Sequence, residues 1–325
     1  MFSIKDLTSK QKFYSFFPIN QKYKKYQDFA SQLRQMLWFE NEFNPKNDLK
    51  DFNTMQEEEK NVLKKIIAFF VTSDNIIMNN IEENFSKEFQ PKEIVDYYKE
   101  QDYNENIHWK MYSLFQIIFA ESEKEQKELE RAVENDPTIK KKADWTNKWF
   151  NREIPLQERI IAFSIVEGLF FCSAFCVIFW FREKGILKEF CDSNNFIFRD
   201  ESLHFKVAVN LYNDLYDSER IKPEKFYSML KEAVLVEEEF VRSMIPIDLN
   251  GMNQDLMIDY VHHIANRISN EYKYESIYDT YNPFDFMDKI SLMNQTSFFE
   301  RVTTEYQRSG NIEDEDEDIG DALFY

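Results

Sequence analysis

Two copies of the pattern Glu-x-x-His constrain this chain more than any other feature of its sequence. They are Glu105/His108 and Glu201/His204, in a chain of 325 residues that has only four histidines. A separation of three residues places a carboxylate and an imidazole on the same face of a helix. Helical bundles that hold two metal ions use two such pairs and add one carboxylate from each of two further helices. The candidates for those carboxylates are Asp74 and Glu167.

The composition and periodicity predict an all-α fold. Only 5 residues are glycine and 17% are aromatic, which suits long helices with bulky packing better than a turn-rich sheet. Apolar residues at steps of three and four predict the metal-bearing helices. These are 57–85, about 91–120, an apolar helix after Pro155, and about 196–216. Helices over 224–242 and 255–274 are predicted to flank this bundle, whereas the charged segment from 121 to about 136 predicts a solvated helix followed by a connection.

The bulk charge and the cysteines exclude several classes of protein. A net charge of -19 argues against binding to a nucleic-acid backbone, which requires clustered Lys and Arg. Three cysteines form no disulfide framework, and the first residues lack the layout of a secretory signal. We therefore expect a cytoplasmic protein in a reducing compartment.

The apolar stretch from Ile160 to Phe181 has the length of a membrane span, but Glu167 lies inside it. A charge in that position is costly without partners, so a fully buried central helix is the better interpretation. An unpaired carboxylate in a protein core is also costly, and a metal ion would account for it. The chemistry agrees, because carboxylates and imidazoles suit first-row transition metals.

Nine short strings in the chain resemble one known family. They are FFPINQKY, IIAFFVTSD, ENIHWKMYS, KKKADW, VEGLFF, RDESLH, NPFDFMDKISL, FFERV and EYQRSG. Together they resemble the radical-generating small subunit of class I ribonucleotide reductase, of the eukaryotic and large-DNA-virus type, over nearly the whole chain. The resemblance implies a ferritin-like diiron helical bundle with extra flanking helices.

The resemblance implies a role for each candidate metal ligand. One iron would be held by Asp74, Glu105 and His108, and the other by Glu167, Glu201 and His204. Glu105 and Glu201 would bridge the two ions of an oxo-bridged diiron centre. Manganese in place of iron stays open, because the same ligand types accept both metals.

The resemblance also implies a path for a radical. Tyr112 lies one helical turn after His108 and would be oxidised to a stable tyrosyl radical inside an apolar pocket. The pocket positions are Phe171, Phe175 and Ile197. Trp38 and Asp200, which would orient a ligand histidine, would begin the relay toward the large subunit, and Tyr306 would continue it.

The domain organisation follows the same resemblance. We expect an N-terminal extension over 1–16, a diiron helical domain over 17–306, and a disordered acidic tail over 307–325. The tail ends in apolar side chains that would dock on the large subunit, namely Ala322, Leu323, Phe324 and Tyr325. The small subunit itself would be a homodimer, although a heterodimer with a related chain stays open. Reduction of ribonucleoside diphosphates would take place on the large subunit with a thioredoxin-like reductant.

Some positions depart from the family pattern. Trp109 and Lys110 stand where a small residue and often an acid are usual, and Tyr325 stands where Phe or Leu is usual. His262 and His263 match no ligand position and are interpreted as surface or packing residues. Two alternative functions remain at this point. One is a diiron oxidase or oxygenase of the same fold, and the other is a partner subunit that forms no radical.

Overall fold

The structure is a computed structural model that describes residues 1–11, 15–245, 249 and 251–290. Within that part the chain is helical and has no β-strand, which confirms the all-α prediction. The α-helices are α1 Ile4–Thr8, α2 Lys24–Gln35, α3 Leu49–Phe52, α4 Glu57–Asn80, α5 Ser86–Glu88, α6 Lys92–Phe119, α7 Glu123–Glu130, α8 Ala132–Asn135, α9 Pro137–Trp149, α10 Leu156–Ile165, α11 Cys172–Glu183, α12 Lys188–Asn213, α13 Pro223–Met244 and α14 Gln254–Glu271. Short 3₁₀ segments cover Glu40–Glu42, Pro45–Asp48 and Asp217–Glu219.

Two π-helical turns interrupt the long helices. Ile81–Phe85 continues α4, and Val166–Phe170 follows α10 directly. A π-helical turn widens the helix locally and is frequent at functional sites. The second turn contains Glu167, so this candidate ligand lies on irregular backbone whereas the two Glu-x-x-His pairs lie on regular helix.

Residues Met1–Pro283 form one compact unit, and a second unit begins at Phe284. In the first unit α6 packs against α2 and α4, and α10 packs against α12. Helix α13 packs against α9 and α14. Of the second unit the structure describes 284–290, where 285–290 are helical. Tyr306 and the predicted tail over 307–325 lie outside the described residues.

The apolar run Leu156–Glu183 is the one helical stretch, within the part of the chain that the structure describes, with the length and hydropathy of a membrane span. Its most apolar window is 94% buried inside the fold. Core helices of globular proteins pass the same test of length and composition. The burial agrees with the prediction of a buried central helix.

Two sequence predictions about helix ends were wrong, and capping explains both. Helix α12 begins at Lys188 rather than near Phe196, because the carboxylate of Asp48 accepts hydrogen bonds from the backbone N–H groups of Glu189 at 3.0 Å and Phe190 at 2.8 Å. The connection expected after Asp136 is instead helix α9. The Asp136 carboxylate caps it by accepting from the N–H groups of its first turn, and Pro137 occupies its first position.

Candidate metal centre

The six predicted metal ligands come together in the interior of the first unit. Helix α4 supplies Asp74, α6 supplies Glu105 and His108, the π-helical turn supplies Glu167, and α12 supplies Glu201 and His204. None of these residues is more than 4% exposed. Charged residues are seldom buried to this extent without partners.

The two glutamates of the Glu-x-x-His pairs each lie between the two imidazoles. A Glu105 carboxylate oxygen is 2.9 Å from Nδ1 of His204, and a Glu201 oxygen is 2.9 Å from Nδ1 of His108. Within each pair the corresponding distances are 3.5 Å on α6 and 3.4 Å on α12. Each of these two carboxylates therefore lies close to both imidazoles and could share a metal ion with either one.

The ligand atoms of four residues form the compact part of the centre. Those of Glu105, Glu167, Glu201 and His204 all lie within 4.8 Å of one another. His108 joins this group through its short distances to Glu105 and Glu201. Asp74 is not part of the compact group, but its charge interacts with those of Glu105 and His108, and both of its carboxylate oxygens are buried without a hydrogen-bond partner.

The polar atoms of the centre are poorly satisfied by the protein itself. Both carboxylate oxygens of Asp74 and Glu201, one oxygen each of Glu105 and Glu167, and Nδ1 of both histidines make no aligned hydrogen bond despite the short distances between them. Burial raises the pKa of Asp74 and Glu167 well above the usual range. Burial also acts to raise the pKa of Glu105, but the neighbouring imidazoles of His204 and His108 outweigh it and lower that pKa to about 2.

This donor set fits a pair of divalent cations. Two such ions would neutralise the four carboxylates, and oxygen and imidazole ligands are those that iron and manganese accept. Each imidazole also has a nitrogen that no hydrogen bond occupies, as a metal ligand requires. The buried unsatisfied atoms thus have one common explanation in a bound metal pair.

Asp200 connects the His108 imidazole to Trp38. One carboxylate oxygen of Asp200 lies 3.4 Å from Nε2 of His108 and accepts a hydrogen bond from the Trp38 indole N–H at 2.8 Å. The other accepts from the Arg199 guanidinium at 2.8 Å and 3.0 Å. Although burial acts to raise the pKa of Asp200, the Arg199 charge and the His108 contact lower it to about 2. An ionised Asp200 favours the proton on Nε2 of His108 and leaves Nδ1 facing the centre.

Tyr112 is fully buried on α6, and aromatic rings cover it. Its ring stacks on Phe70 with centroids 4.5 Å apart and an interplanar angle of 1°. Phe171 and Phe175, which the resemblance places in the radical pocket, each pack against Phe70 at 5.1 Å. The third expected pocket residue, Ile197, is 1% exposed.

The Tyr112 hydroxyl donates a hydrogen bond of 2.6 Å to the side-chain oxygen of Asn194. The Asn194 amide nitrogen donates to the backbone carbonyl of Phe190 at 2.8 Å, which turns the amide oxygen toward the phenol. Sequence reasoning missed this residue. Its one signal was its position three residues before Ile197, one helical turn away on α12.

Gln101 and Gly168 also escaped the sequence analysis. The Gln101 amide donates to a Glu167 oxygen at 2.8 Å, and its position one turn before Glu105 was the available signal. Gly168 follows Glu167 where helices approach closely, because a Cβ atom there would meet the Phe205 ring at 2.9 Å. The Gln101–Glu167 hydrogen bond and the close approach of Phe205 to Gly168 both join different helices, so spacing along one helix does not predict either contact.

Trp109 and Lys110, which depart from the family pattern, lie outside this cluster, and Tyr325 lies outside the described residues. Lys110 is exposed and Trp109 is partly exposed. His262 is half-buried, stacks on Tyr278 with centroids 4.0 Å apart, and lies 2.8 Å from a Glu238 oxygen. His263 stacks on Tyr260. The interpretation of these two histidines as packing residues agrees with these contacts.

Three comparisons with known proteins find the same kind of chain. The family model for the ribonucleotide reductase small chain matches residues 15–283. The chain is 38% identical over 279 residues to a ribonucleoside-diphosphate reductase small chain of vaccinia virus, covering 86% of this chain and 87% of that one. It is also 38% identical over 283 residues to the corresponding chain of Plasmodium falciparum, covering 87% and 80%. The solved ribonucleotide reductase Rnr4 homodimer of Saccharomyces cerevisiae matches with a TM-score of 0.79 and 26% identity, covering 93% of each chain.

Proposed function

This chain belongs to the family of ribonucleotide reductase small chains, and on that premise we propose that it binds two iron ions and forms a radical on Tyr112. The enzyme of which such chains are the small subunit is ribonucleoside-diphosphate reductase, and the fold of this chain is the ferritin-like helical bundle of that family. One observation carries the proposal. A buried set of carboxylates and imidazoles with unsatisfied atoms lies beside the buried phenol of Tyr112. Burial and the nearby Asp74 charge both raise the pKa of that phenol.

In this proposal Asp74, Glu105 and His108 hold one metal, and Glu167, Glu201 and His204 hold the other. The placement of Glu105 and Glu201 between the two imidazoles supports a bridging role for both carboxylates. Ferrous iron held here would reduce dioxygen and so supply the oxidant, and the Tyr112 phenol would give up one electron and its hydroxyl proton to become a neutral radical. Manganese is compatible with the same ligands.

The residues around Tyr112 protect the radical and position its hydroxyl. Phe70 stacks on the ring and excludes water from that face, with Phe171 and Phe175 behind it. The Asn194 oxygen holds the hydroxyl hydrogen of the reduced phenol. Burial raises the pKa of Tyr112 well above its ordinary value, so the phenol is protonated at neutral pH before oxidation.

The relay to the large subunit would begin at Trp38. The hydrogen-bonded series Trp38, Asp200 and His108 supports this, because it connects a metal ligand to a buried indole through one carboxylate. Stacking of Trp38 near the His108 ring, with centroids 6.1 Å apart, adds a second contact along the same series. Tyr306, outside the described residues, would continue the relay.

The proposed assembly is a cytoplasmic homodimer of this chain with a large subunit that carries out nucleotide reduction. The homodimeric state of the yeast relative supports the first part. The predicted organisation stays part of the proposal, with an extension over 1–16, the helical domain over 17–306 and a docking tail over 307–325. Ala322 to Tyr325 would bind a groove on the large subunit.

The test is electron paramagnetic resonance of the metal-free protein after addition of ferrous iron and dioxygen. We expect a tyrosyl signal in the wild type and none in Tyr112→Phe, whereas both proteins should bind about two irons per chain. Iron uptake without a tyrosyl signal in the wild type would point to a diiron oxidase. Absence of iron uptake would point to a partner subunit that forms no radical.

A further inference from the structure

A second buried ionic cluster lies outside the metal centre, between α9, α13 and the start of α11. It consists of Lys142, Glu237 and Ser173, which are 2%, 0% and 0% exposed. We propose that Lys142, held by Glu237, clamps the π-helical turn Val166–Phe170 and so positions Glu167 for metal binding. Lys142 is then a positioning residue, and the inference rests on the proposed function to the extent that Glu167 is a ligand.

The contacts of the Lys142 ammonium group define the clamp. Its Nζ atom donates to the backbone carbonyl of Phe170 at 2.7 Å and lies 2.6 Å from a Glu237 carboxylate oxygen. The other Glu237 oxygen accepts a hydrogen bond from the Ser173 hydroxyl. Glu237 is therefore fixed on both sides and holds the ammonium group against the turn.

The position of the Phe170 carbonyl explains why a hydrogen-bond donor from another helix can stabilise the π-helical turn. Phe170 is the last residue of the π-helical turn, and Glu167 is in the same turn. Backbone bonds in such a turn span five residues instead of four, so the register changes where the turn meets the following α-helix. A carbonyl at that junction can lack a regular partner, and the Lys142 ammonium group supplies one.

The rest of the turn is held from other directions. Gly168 allows the Phe205 ring and Ile268 to pack closely against the backbone. Gln101 donates to the Glu167 carboxylate. With Lys142 at Phe170, the three contacts hold the middle, the side chain and the end of the turn.

Stability alone does not account for this ion pair. Replacement of a buried ion pair by apolar residues of similar volume is often neutral or stabilising, because burying two charges is costly. Lys142 does gain from the rings of Phe240 and Phe69, whose centroids lie 3.6 Å and 3.9 Å from Nζ. Burial lowers the pKa of Lys142 to about 8, so the group still carries its charge near neutrality.

The experiment compares the wild type with the double variant Lys142→Met/Glu237→Leu, which removes both charges and the bond to Phe170. Hydrogen exchange of the peptide covering 166–170 is measured in metal-free protein. Binding of Mn²⁺ alone to the same protein is measured from the resonance signal of the free ion. We expect faster exchange in that peptide and a loss of about 10-fold or more in affinity for one of two ions.

The control is Arg159→Met, which removes another buried cation from the same bundle. Arg159 is 2% exposed and pairs with Glu88 at 2.6 Å, without a contact to the π-helical turn among its hydrogen bonds. We expect it to leave Mn²⁺ affinity and exchange over 166–170 unchanged even where it lowers the melting temperature. A melting temperature of the double variant near that of wild type would separate positioning from general destabilisation.

Unchanged exchange and unchanged Mn²⁺ affinity in the double variant would overturn the clamp. If the double variant does not fold, the single variant Lys142→Met is judged by the same two measurements. Failure of the wild type to bind Mn²⁺ would count against the proposed metal centre instead. The exchange measurement on metal-free protein would then decide the clamp by itself.

Discussion

The core of this protein contains two buried groups of charged residues that are satisfied in opposite ways. In one, Lys142 and Glu237 neutralise each other, and every contact partner comes from the chain. In the other, the carboxylates and imidazoles of the metal centre leave buried atoms without aligned hydrogen bonds. One Glu237 oxygen also lacks an aligned hydrogen bond, but it lies 2.6 Å from the Lys142 ammonium group. No such ion pair with a Lys or Arg of the described residues serves the four carboxylates of the other cluster, which indicates that this second cluster binds a cation.

The two clusters differ in the source of their positive charge, and this difference separates a structural role from a binding role. The ammonium group of Lys142 is part of the fold and is present whenever the protein is folded. The metal centre has no Lys or Arg among its residues, and burial together with the neighbouring carboxylates raises the pKa of Asp74 and Glu167. The loss of one carboxylate should therefore destabilise the first cluster and not the second.

The largest expected effect tests that difference in metal-free protein. Glu237→Leu should lower the free energy of unfolding by about 3–5 kcal/mol, because it leaves the buried Lys142 charge unpaired. Glu167→Leu removes a carboxylate whose pKa burial has raised, so it should leave the free energy of unfolding unchanged or increase it. Urea denaturation of both variants measures this. Equal losses in the two variants would contradict the distinction between the clusters.

Metal addition should stabilise the wild type. A cation that binds only the folded state, at a free concentration of about 1,000 times its dissociation constant, adds about 4 kcal/mol to the free energy of unfolding. Denaturation with and without Mn²⁺ measures the gain. Glu201→Ala should abolish most of it, since Glu201 lies near both imidazoles. Asp144→Asn, which changes an exposed carboxylate on α9, should retain the full gain.

A smaller effect is expected from Asp200→Asn. The charge that favours the Nε2 proton of His108 would be lost, so the imidazole would present Nδ1 to the metal less strongly. Loss of such an outer contact typically lowers metal affinity by about 10–100-fold, or about 1.4–2.8 kcal/mol. Titration with Mn²⁺ measures the affinity. An unchanged affinity would show that the packing around His108 alone orients the ring.

The smallest effect is expected from Gly168→Ala. The new methyl group would press on the edge of the Phe205 ring, and a loss of about 1 kcal/mol is at the low end of overpacking because that ring edge can move. The double variant Gly168→Ala/Phe205→Leu should recover most of the loss. Thermal denaturation of metal-free protein checks this. No recovery would place the strain in the π-helical backbone rather than in the ring contact.

The residues that cluster in the candidate metal centre were predictable mainly because the spacing within each Glu-x-x-His pair is local. Glu105 and His108 share a helix face for a reason that concerns only α6, and the same holds for Glu201 and His204 on α12. Glu167 was recognisable because a charge in an apolar helix has few explanations. The family resemblance added Tyr112, Trp38 and Asp200, and the structure places Tyr112 and Trp38 as buried side chains beside the centre.

The missed features all depend on contacts between distant parts of the chain. Asn194 and Tyr112 meet only because α6 and α12 pack in one register. The early start of α12 depends on Asp48, far away in the sequence. The π-helical turn at Glu167 was also missed, because apolar periodicity carries no signal for one extra residue in a turn.

The sequence by itself therefore determined the helical class, the family and the residue types of the candidate centre, because residue type and helical spacing are local properties. Only the tertiary structure decided which atoms face one another. It turned the Asn194 oxygen toward the Tyr112 hydroxyl, and it brought the Lys142 ammonium group to the Phe170 carbonyl. Those contacts join segments that are far apart along the chain, so their geometry exists only once the helices have packed.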